Sequence, residues 1–401
     1  MKNRPVSREM SLILLVGSNP LPNYLATCAL RPQRAVLLYT SEVEQPMRRL
    51  KRAIQTALPD AEARSEHVAD ATDPRAVAEA TQRALEIAPG AYLNYTGGTK
   101  VMAAHALRVF YERGGERERA LYLDEGGCAR PPMLRFDHGN LAPLARYDIA
   151  LGLSTLLQLH GVKYSPRRPI APAPTPEDAA EILDHALREP TRVEKLYVVR
   201  DRFQREAKRR SQRALENPFR AADFGLALSE PVIPTDGRLR GFPGTKVRDA
   251  WCKQWFDFIG GQWLEDWVGR QVRELAPEGD LVVGLNATRG ARKRPLEVDV
   301  GLTRGCRSYF ISCTTSRSKG LCKSKLFEIG IRSTQLGGDL ARAALVCLAD
   351  GSTTAELSDE TAELWGAPNA PRVFGIEDVR AWAGFGGAPP NLESLRAWLE
   401  S

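Results

Sequence analysis

The 401-residue chain holds only seven cysteines and five histidines. The cysteines (Cys28, Cys128, Cys252, Cys306, Cys313, Cys322 and Cys347) are scattered and odd in number, and no two form a CxxC pair. That spacing supports neither a disulfide framework nor a zinc ribbon, and reduced thiols are expected. The histidines are too dispersed for a metal cluster, and His105 is read as a packed or capping residue. No apolar run approaches the roughly 20 residues of a membrane helix, so no membrane partner is expected. The N-terminus is basic (Lys2, Arg4, Arg8), but the apolar stretch after it, residues 12–16, is too short for a signal-peptide core. A cytoplasmic protein is the expectation. GxGxxG is also missing, and Thr40 and Ser41, not an acid, end the second expected strand. Both absences disfavour a dinucleotide-dependent enzyme.

Hydrophobic residues make up 43% of the chain and charged residues 26%, the balance of a globular protein. The length allows two or three domains. A formal net charge of +7 favours a polyanionic partner, but modestly, because many basic residues suit solvated helix faces.

The most informative stretch is Asn94-Tyr95-Thr96-Gly97-Gly98-Thr99-Lys100. An apolar run precedes it and an amphipathic run follows, so the pattern is strand, glycine turn, helix N-terminus. Glycines allow close backbone approach to a ligand, and a helix start presents unpaired N–H groups and a positive dipole end. Expected strands at 12–16, 36–39, 65–69, 91–93 and 120–123 alternate with helices, one of them N-capped by Asp73 with Pro74 in its first position. This alternation predicts a parallel, doubly wound sheet. Ligands of such sheets bind beyond the strand carboxyl ends at the switch in strand order. The loop Gly17-Ser18-Asn19-Pro20-Leu21-Pro22-Asn23 would then share one crevice with Asn94–Lys100.

A proline-rich linker spans 166–176, and a helical segment at 201–213 carries Arg202, Arg205, Lys208, Arg209, Arg210 and Arg213. That segment suits nucleic acid or a solvated face equally. Residues 231–243 read as loop. The expected division is 1–150, a connecting segment at 151–247, and a second domain at 248–401. Trp251, Trp255, Phe258, Trp263 and Trp267 recur at about helical spacing and read as core. Strands are expected at 281–285, 297–302, 309–313, 343–348 and 373–376, with a helix at 321–335 closed by Gly337-Gly338.

In this second half Glu265 lies on a helix, and alternation places Glu297 and Asp299 on one face of a strand, Val298 and Val300 on the other. A hairpin strand follows, Tyr309-Phe310-Ile311-Ser312-Cys313-Thr314. This is the frame of a PD-(D/E)xK nuclease site, in which carboxylates hold a hard divalent cation and a lysine stabilises charge beside the attacking water. Ser312 and Thr314 stand where that pattern has its second acid and its lysine. Lys319, Lys323 and Lys325 lie just beyond, with Glu328 at i+3 from Lys325. Two readings stand: the missing groups have migrated to this helix, or the domain has lost activity. Arg289, Arg292, Lys293, Arg294, Arg304, Arg307, Arg317 and Lys319 cluster around these strands and suit phosphate contacts.

On these residues the chain resembles the CARF-domain proteins of type III CRISPR defence, in particular the compact single-CARF nucleases activated by cyclic oligoadenylate. The features that carry the likeness are the two glycine loops, Gly261-Gln262-Trp263-Leu264-Glu265, Glu297-Val298-Asp299-Val300, Phe310-Ile311-Ser312-Cys313 and Gln335-Leu336-Gly337-Gly338. The resemblance implies an α/β chain, a Rossmann-like CARF domain followed by a mixed α/β PD-(D/E)xK restriction-endonuclease-like domain. It implies a homodimer that holds one cyclic tetra-adenylate across its two-fold axis. Gly17, Ser18, Asn19 and Asn23 would contact the ring, and Thr96, Gly97, Gly98, Thr99 and Lys100 its phosphates. Thr40, Ser41 and Asp73 stand on neighbouring loops. Glu265 and Asp299 would hold Mn²⁺ or Mg²⁺, with Lys323, Lys325 and Glu328 as the remaining catalytic candidates, for cleavage of DNA and/or RNA. The alternative is a cyclic-oligoadenylate sensor whose nuclease-like domain only binds nucleic acid or protein.

Overall fold

A computed structural model describes residues 10–126, 130–164, 169–191, 193, 195, 196, 198, 225–229, 245–289, 294–365 and 370–400. The basic segment at 201–213, the loop at 231–243 and the turn residues Gly290, Arg292 and Lys293 lie outside them.

Seven strands form the first sheet, in the order β3-β2-β1-β4-β5-β6-β7. Strands β1 (Ser11–Leu15), β2 (Arg34–Tyr39), β3 (Glu62–His67), β4 (Tyr92–Asn94) and β5 (Ala120–Asp124) are parallel. Strands β6 (Met133–Phe136) and β7 (Leu141–Pro143) continue the sheet antiparallel. Helices α1 (Leu21–Leu30), α2 (Glu44–Ala57), α3 (Pro74–Ile87) and α4 (Lys100–Glu112) connect the parallel strands. β1 is apolar from Leu12 to Leu15 because both its faces are covered. Leu12 and Leu14 pack with residues of α1 and α2, whereas Ile13 and Leu15 pack with residues of α3 and α4. The doubly wound sheet expected from the alternation is therefore present. Its strand order reverses between β1 and β4, the position both glycine loops leave from.

The second sheet has the order β13-β12-β11-β10-β9-β8. Helix α5 (Leu153–Leu159) and β8 (Val162–Tyr164) lead from the first sheet, and β8 pairs antiparallel with β9 (Asp280–Arg289). β10 (Arg294–Arg304) and β11 (Arg307–Thr314) extend the antiparallel part, and β12 (Ala341–Cys347) and β13 (Arg372–Phe374) run parallel to β11. Helix α6 (Pro176–Arg188) and the pair α7 (Thr245–Asp257) and α8 (Trp263–Leu275) cover one face. Trp251, Trp255, Phe258, Trp263 and Trp267 are buried there, so the aromatic stripe is core, as its spacing predicts. Further helices among the described residues include α9 (Lys319–Gly337), α10 (Gly351–Trp365), α11 (Ile376–Ala383) and α12 (Glu393–Glu400).

The two sheets share packing. Leu153, Leu156 and Leu157 of α5 lie in one continuous apolar cluster with Leu12 and Leu14 of β1, Phe310 of β11, and Ile329 and Leu336 of α9. Burial of this kind is worth about 1.5–3 kcal/mol per large side chain, which holds α9 close to the first sheet.

Several elements differ from their sequence expectation. The strand expected at 65–69 lies at Glu62–His67, because Arg34 pairs in register with Glu62 and bonds its carboxylate at 2.7 Å. The strand expected at 281–285 runs on to Arg289, where β10 and β8 both supply partners. Strands β6, β7 and β8 are three or four residues long and too short to show a period.

Candidate functional site

The first site lies where β1 and β4 end. Asn23, on the first turn of α1, and Asn94, the last residue of β4, are both 0% exposed. Asn23 Nδ2 donates to the Leu15 carbonyl at 2.7 Å, and Asn94 Nδ2 donates to Asn23 Oδ1 at 2.9 Å. Asn94 Oδ1 in turn accepts the Thr96 hydroxyl at 2.5 Å, and Thr96 Oγ1 accepts the Leu123 N–H at 2.7 Å. This chain of bonds runs from β1 through β4 to β5 and sets the spacing of the two loops. Buried amides are stable only when so paired.

The glycine turn packs against this network. A Cβ at Gly97 would lie 2.1 Å from the Leu15 carbonyl, so no side chain fits. Gly98 has φ +77°, a left-handed conformation that disfavours side chains. Thr99 N-caps α4, accepting the Met102 N–H at 3.1 Å while donating to the Ala71 carbonyl at 2.9 Å. Gly98, Thr99 and Lys100 are exposed, as is Ser18; Gly17, Asn19, Thr96 and Gly97 are half-buried. The first turn of α4 holds no acid, so its N–H groups and Lys100 present a positive end to the crevice.

The neighbouring candidates sit on adjacent loops. Asp73 caps α3 by accepting the Arg75 N–H at 2.9 Å. Thr40 is buried after β2, and Ser41 Oγ lies 3.0 Å from His67 Nε2. Asn19 Oδ1 accepts the Leu21 N–H at 3.1 Å. Asn23 is thus enclosed and holds the loops in place, whereas Ser18, Gly98, Thr99 and Lys100 of the two loops are exposed. Sequence reasoning gave Asn94 no role of its own, since its partner Asn23 lies 71 positions away.

The second site centres on Asp299. Its Oδ2 accepts the Cys313 N–H at 2.6 Å and the Ser312 hydroxyl at 3.0 Å. Opposite this point β9 has Gly284 at φ +64°. Val298 packs with Phe310 in the core shared with α5 and α9, yet Val300 packs with Ile311 under α8. The two valines therefore do not share one face, as simple alternation predicted; the strand turns over at Asp299. Burial pushes the Asp299 carboxyl up, while the Cys313 N–H, the Ser312 hydroxyl and the Lys325 charge oppose that rise.

Glu265 and Asp266 approach the same place from α8. A widened π turn, Phe258–Gln262, separates α7 from α8 and resets the helix face. Trp263, Leu264, Trp267 and Val268 then face the core, and the two acids stand half-buried at its edge. The Cys313 thiol is pushed up first by burial and then by the fields of Asp299, Glu265 and Asp266, with Lys325 opposing. These four charged groups accordingly act on one locus. Asp266 was overlooked in the sequence, although it adjoins Glu265.

The helix candidates separate. Lys325 Nζ lies 4.0 Å from Glu328, and its charge opposes the rise of the Asp299 carboxyl. Lys323, two positions and about 200° around the helix, bonds Glu360 of α10 at 2.7 Å. Glu328 is engaged by Arg332 at 2.5 Å, and an Arg332 guanidinium nitrogen also donates to the Glu297 carbonyl. Several basic residues expected at phosphates are used internally. Lys319 pairs with Glu356 and Glu360, Arg304 pairs with Glu278 at 2.6 Å, and Arg307 is buried. Arg317 remains exposed.

Among the described residues no group of three His, Cys, Asp or Glu side chains could hold a metal ion. Mg²⁺, however, keeps several waters and is held by one or two carboxylates plus substrate phosphates, so Asp299 with Glu265 or Asp266 fits that donor set. Among the described residues no helix is long and apolar enough to cross a membrane.

No protein-family model and no curated protein sequence matches the chain. Solved structures do. Can2 from Sulfobacillus thermosulfidooxidans, in complex with cyclic tetra-adenylate (cA4), is 17% identical with a TM-score of 0.62, over 91% of this chain and 95% of that one. Protein VC1899 from Vibrio cholerae is 14% identical with a TM-score of 0.63, over 93% of this chain and 95% of that one. A type III CRISPR defence DNA nuclease activated by cyclic oligoadenylate is 19% identical with a TM-score of 0.50, over 86% of this chain and 47% of that one. The chain therefore shares the fold of the CARF-domain nucleases, a doubly wound sheet followed by a mixed sheet.

Proposed function

We propose that this chain is a homodimeric CRISPR ancillary effector that senses cyclic tetra-adenylate and in response cleaves DNA and/or RNA. The observation that supports the catalytic half of this reading is the held carboxylate of Asp299, whose Oδ2 accepts from the Cys313 N–H and the Ser312 hydroxyl. Thr314 leaves the expected lysine position without charge, and Lys325 of α9, whose charge opposes the rise of the Asp299 carboxyl, would take that role.

The crevice between Gly17–Asn23 and Asn94–Lys100 suits a phosphate ring. The α4 N-terminus and Lys100 supply positive ends, and the Asn23–Asn94 pair fixes the spacing. A symmetric ring suits an isologous interface, so two chains would share one ligand. At the second site, Cys313 N–H and the Ser312 hydroxyl hold Asp299 in one orientation through Oδ2, which leaves Oδ1 to turn toward a cation. Asp299, with Glu265 or Asp266, would hold Mn²⁺ or Mg²⁺, which when bound lowers the pKa of water and stabilises phosphoryl oxygens. Lys325 stabilises negative charge developing on the scissile phosphate.

A sensor with an inactive nuclease-like domain is favoured by one observation, the lack of a three-donor cluster among the described residues. Titration calorimetry with cyclic tetra-adenylate, followed by cleavage of plasmid DNA and single-stranded RNA with Mn²⁺, separates the two. The first reading expects one ring per two chains and cleavage only with the ring. Binding without cleavage of either substrate favours the second, and absence of binding sinks both.

A further inference from the structure

The C-terminus of α9 touches the first sheet at its ligand crevice. The Asp339 N–H, two residues past α9, donates to Glu125 Oε2 at 2.8 Å. Glu125 follows β5 directly. Beside it Gly338 has φ +58°, and a Cβ there would lie 2.5 Å from Asn19 Nδ2 and 3.1 Å from Glu125 Oε2. Asn19 belongs to the β1–α1 loop. One end of α9 is thus seated on the two first-sheet segments, Asn19 and Glu125, that border the crevice.

The middle of α9 meets the strand that carries Asp299. Arg332 donates to the carbonyl of Glu297, two residues before Asp299, and the Lys325 charge opposes the rise of the Asp299 carboxyl. At 1.5 Å per residue, Lys325 and Gly338 are about 20 Å apart along one helix. Ile329 and Leu336 lock that helix into the shared apolar cluster. A packed helix moves as a body, because close-packed interiors do not deform continuously.

We propose that Glu125 is a positioning residue that couples the crevice to Asp299 through α9. This inference rests on the proposed function. A ring that draws the Asn19 amide into the crevice vacates the space at Gly338, and Glu125 then alone fixes the end of α9. The ring binds better to the arrangement with Asn19 turned inward, which supplies the differential affinity that coupling requires.

The test uses the full chain, with Glu125→Ala and Glu125→Gln, the latter keeping an acceptor for the Asp339 N–H. Three quantities are read: cyclic tetra-adenylate affinity, ring-dependent cleavage, and hydrogen exchange across residues 334–340 with and without the ring. Glu125→Ala is expected to bind the ring within about threefold of wild type, yet lose about tenfold or more of the ring-dependent stimulation, within the usual range of coupling. Its 334–340 segment should no longer respond to the ring. Glu125→Gln should keep most of both responses. A wild-type exchange response in Glu125→Ala overturns the inference, and so does equal damage in both variants. Failure of the wild type to bind the ring overturns the functional reading and this inference together. A wild type that binds and shows the exchange response without cleaving supports the coupling and overturns only the nuclease reading.

Discussion

Asn23→Ala tests whether Asn23 holds the loops or touches the ligand. The substitution removes the amide that bonds Leu15 at 2.7 Å and Asn94 at 2.9 Å, in a place with no solvent exposure. It strands the Asn94 Nδ2 donor and a lone pair of the Leu15 carbonyl. Each buried group left without a partner costs about 1–3 kcal/mol, so the pair costs about 3 kcal/mol or somewhat more. A domain of this size loses about 2–4 °C of melting temperature per kcal/mol, which places the shift at about 6–12 °C. The ring affinity should fall as well, because the β1 and β4 loops lose their common anchor. Differential scanning calorimetry without ligand and titration calorimetry with the ring read both effects. A residue that merely touched the ring would lower affinity and leave ligand-free melting unchanged. Melting within about 1 °C of wild type would therefore refute the reasoning.

Gly97→Ala should weaken ring binding by about tenfold or more, since its Cβ would sit 2.1 Å from the Leu15 carbonyl and the turn must move; titration calorimetry checks this. Lys323→Ala removes a half-exposed ion pair with Glu360 and should cost less than about 1 kcal/mol by denaturant melting. Stability should also depend on Glu125, which burial and the facing carboxylates of Asp339 and Asp124 push up to about 7, near the Tyr122 hydroxyl. The folded chain then binds a proton more tightly than the unfolded one, so this contribution is present below the ordinary glutamate range and is lost as pH rises to about 7. Glu125→Gln should flatten that part of the stability curve between pH about 5 and about 8, measured by thermal melting.

The parts of the fold and sites that could be read from the sequence were those carried by local chemistry. Apolar β1, the Asp73-Pro74 helix start and the Gly97-Gly98 turn each announce themselves within a few residues. The tryptophan stripe was legible as core because its spacing alone decides it. The rest depends on partners far along the chain. Asn23 and Asn94 lie 71 positions apart, and Glu125 and Asp339 lie 214 apart. Lys323 and Lys325 were indistinguishable in the sequence, since only the docking of α9 through Leu326, Ile329 and Leu336 decides that Lys323 bonds Glu360 while the Lys325 charge acts on Asp299. The exchange of faces between Val298 and Val300 was hidden too, because it depends on Gly284 of the neighbouring strand.

Cleavage by three proteins, wild type, Asp299→Ala and Lys325→Ala, is the most direct test of the ring-activated nuclease. Each is assayed on plasmid DNA and single-stranded RNA with Mn²⁺, with and without cyclic tetra-adenylate. Wild type should cut at least one substrate only when the ring is present. Both variants should bind the ring normally and lose about a hundredfold or more in rate, the usual cost of removing a group that stabilises charge in the transition state. Ring-dependent cleavage that survives in Asp299→Ala would contradict the central claim.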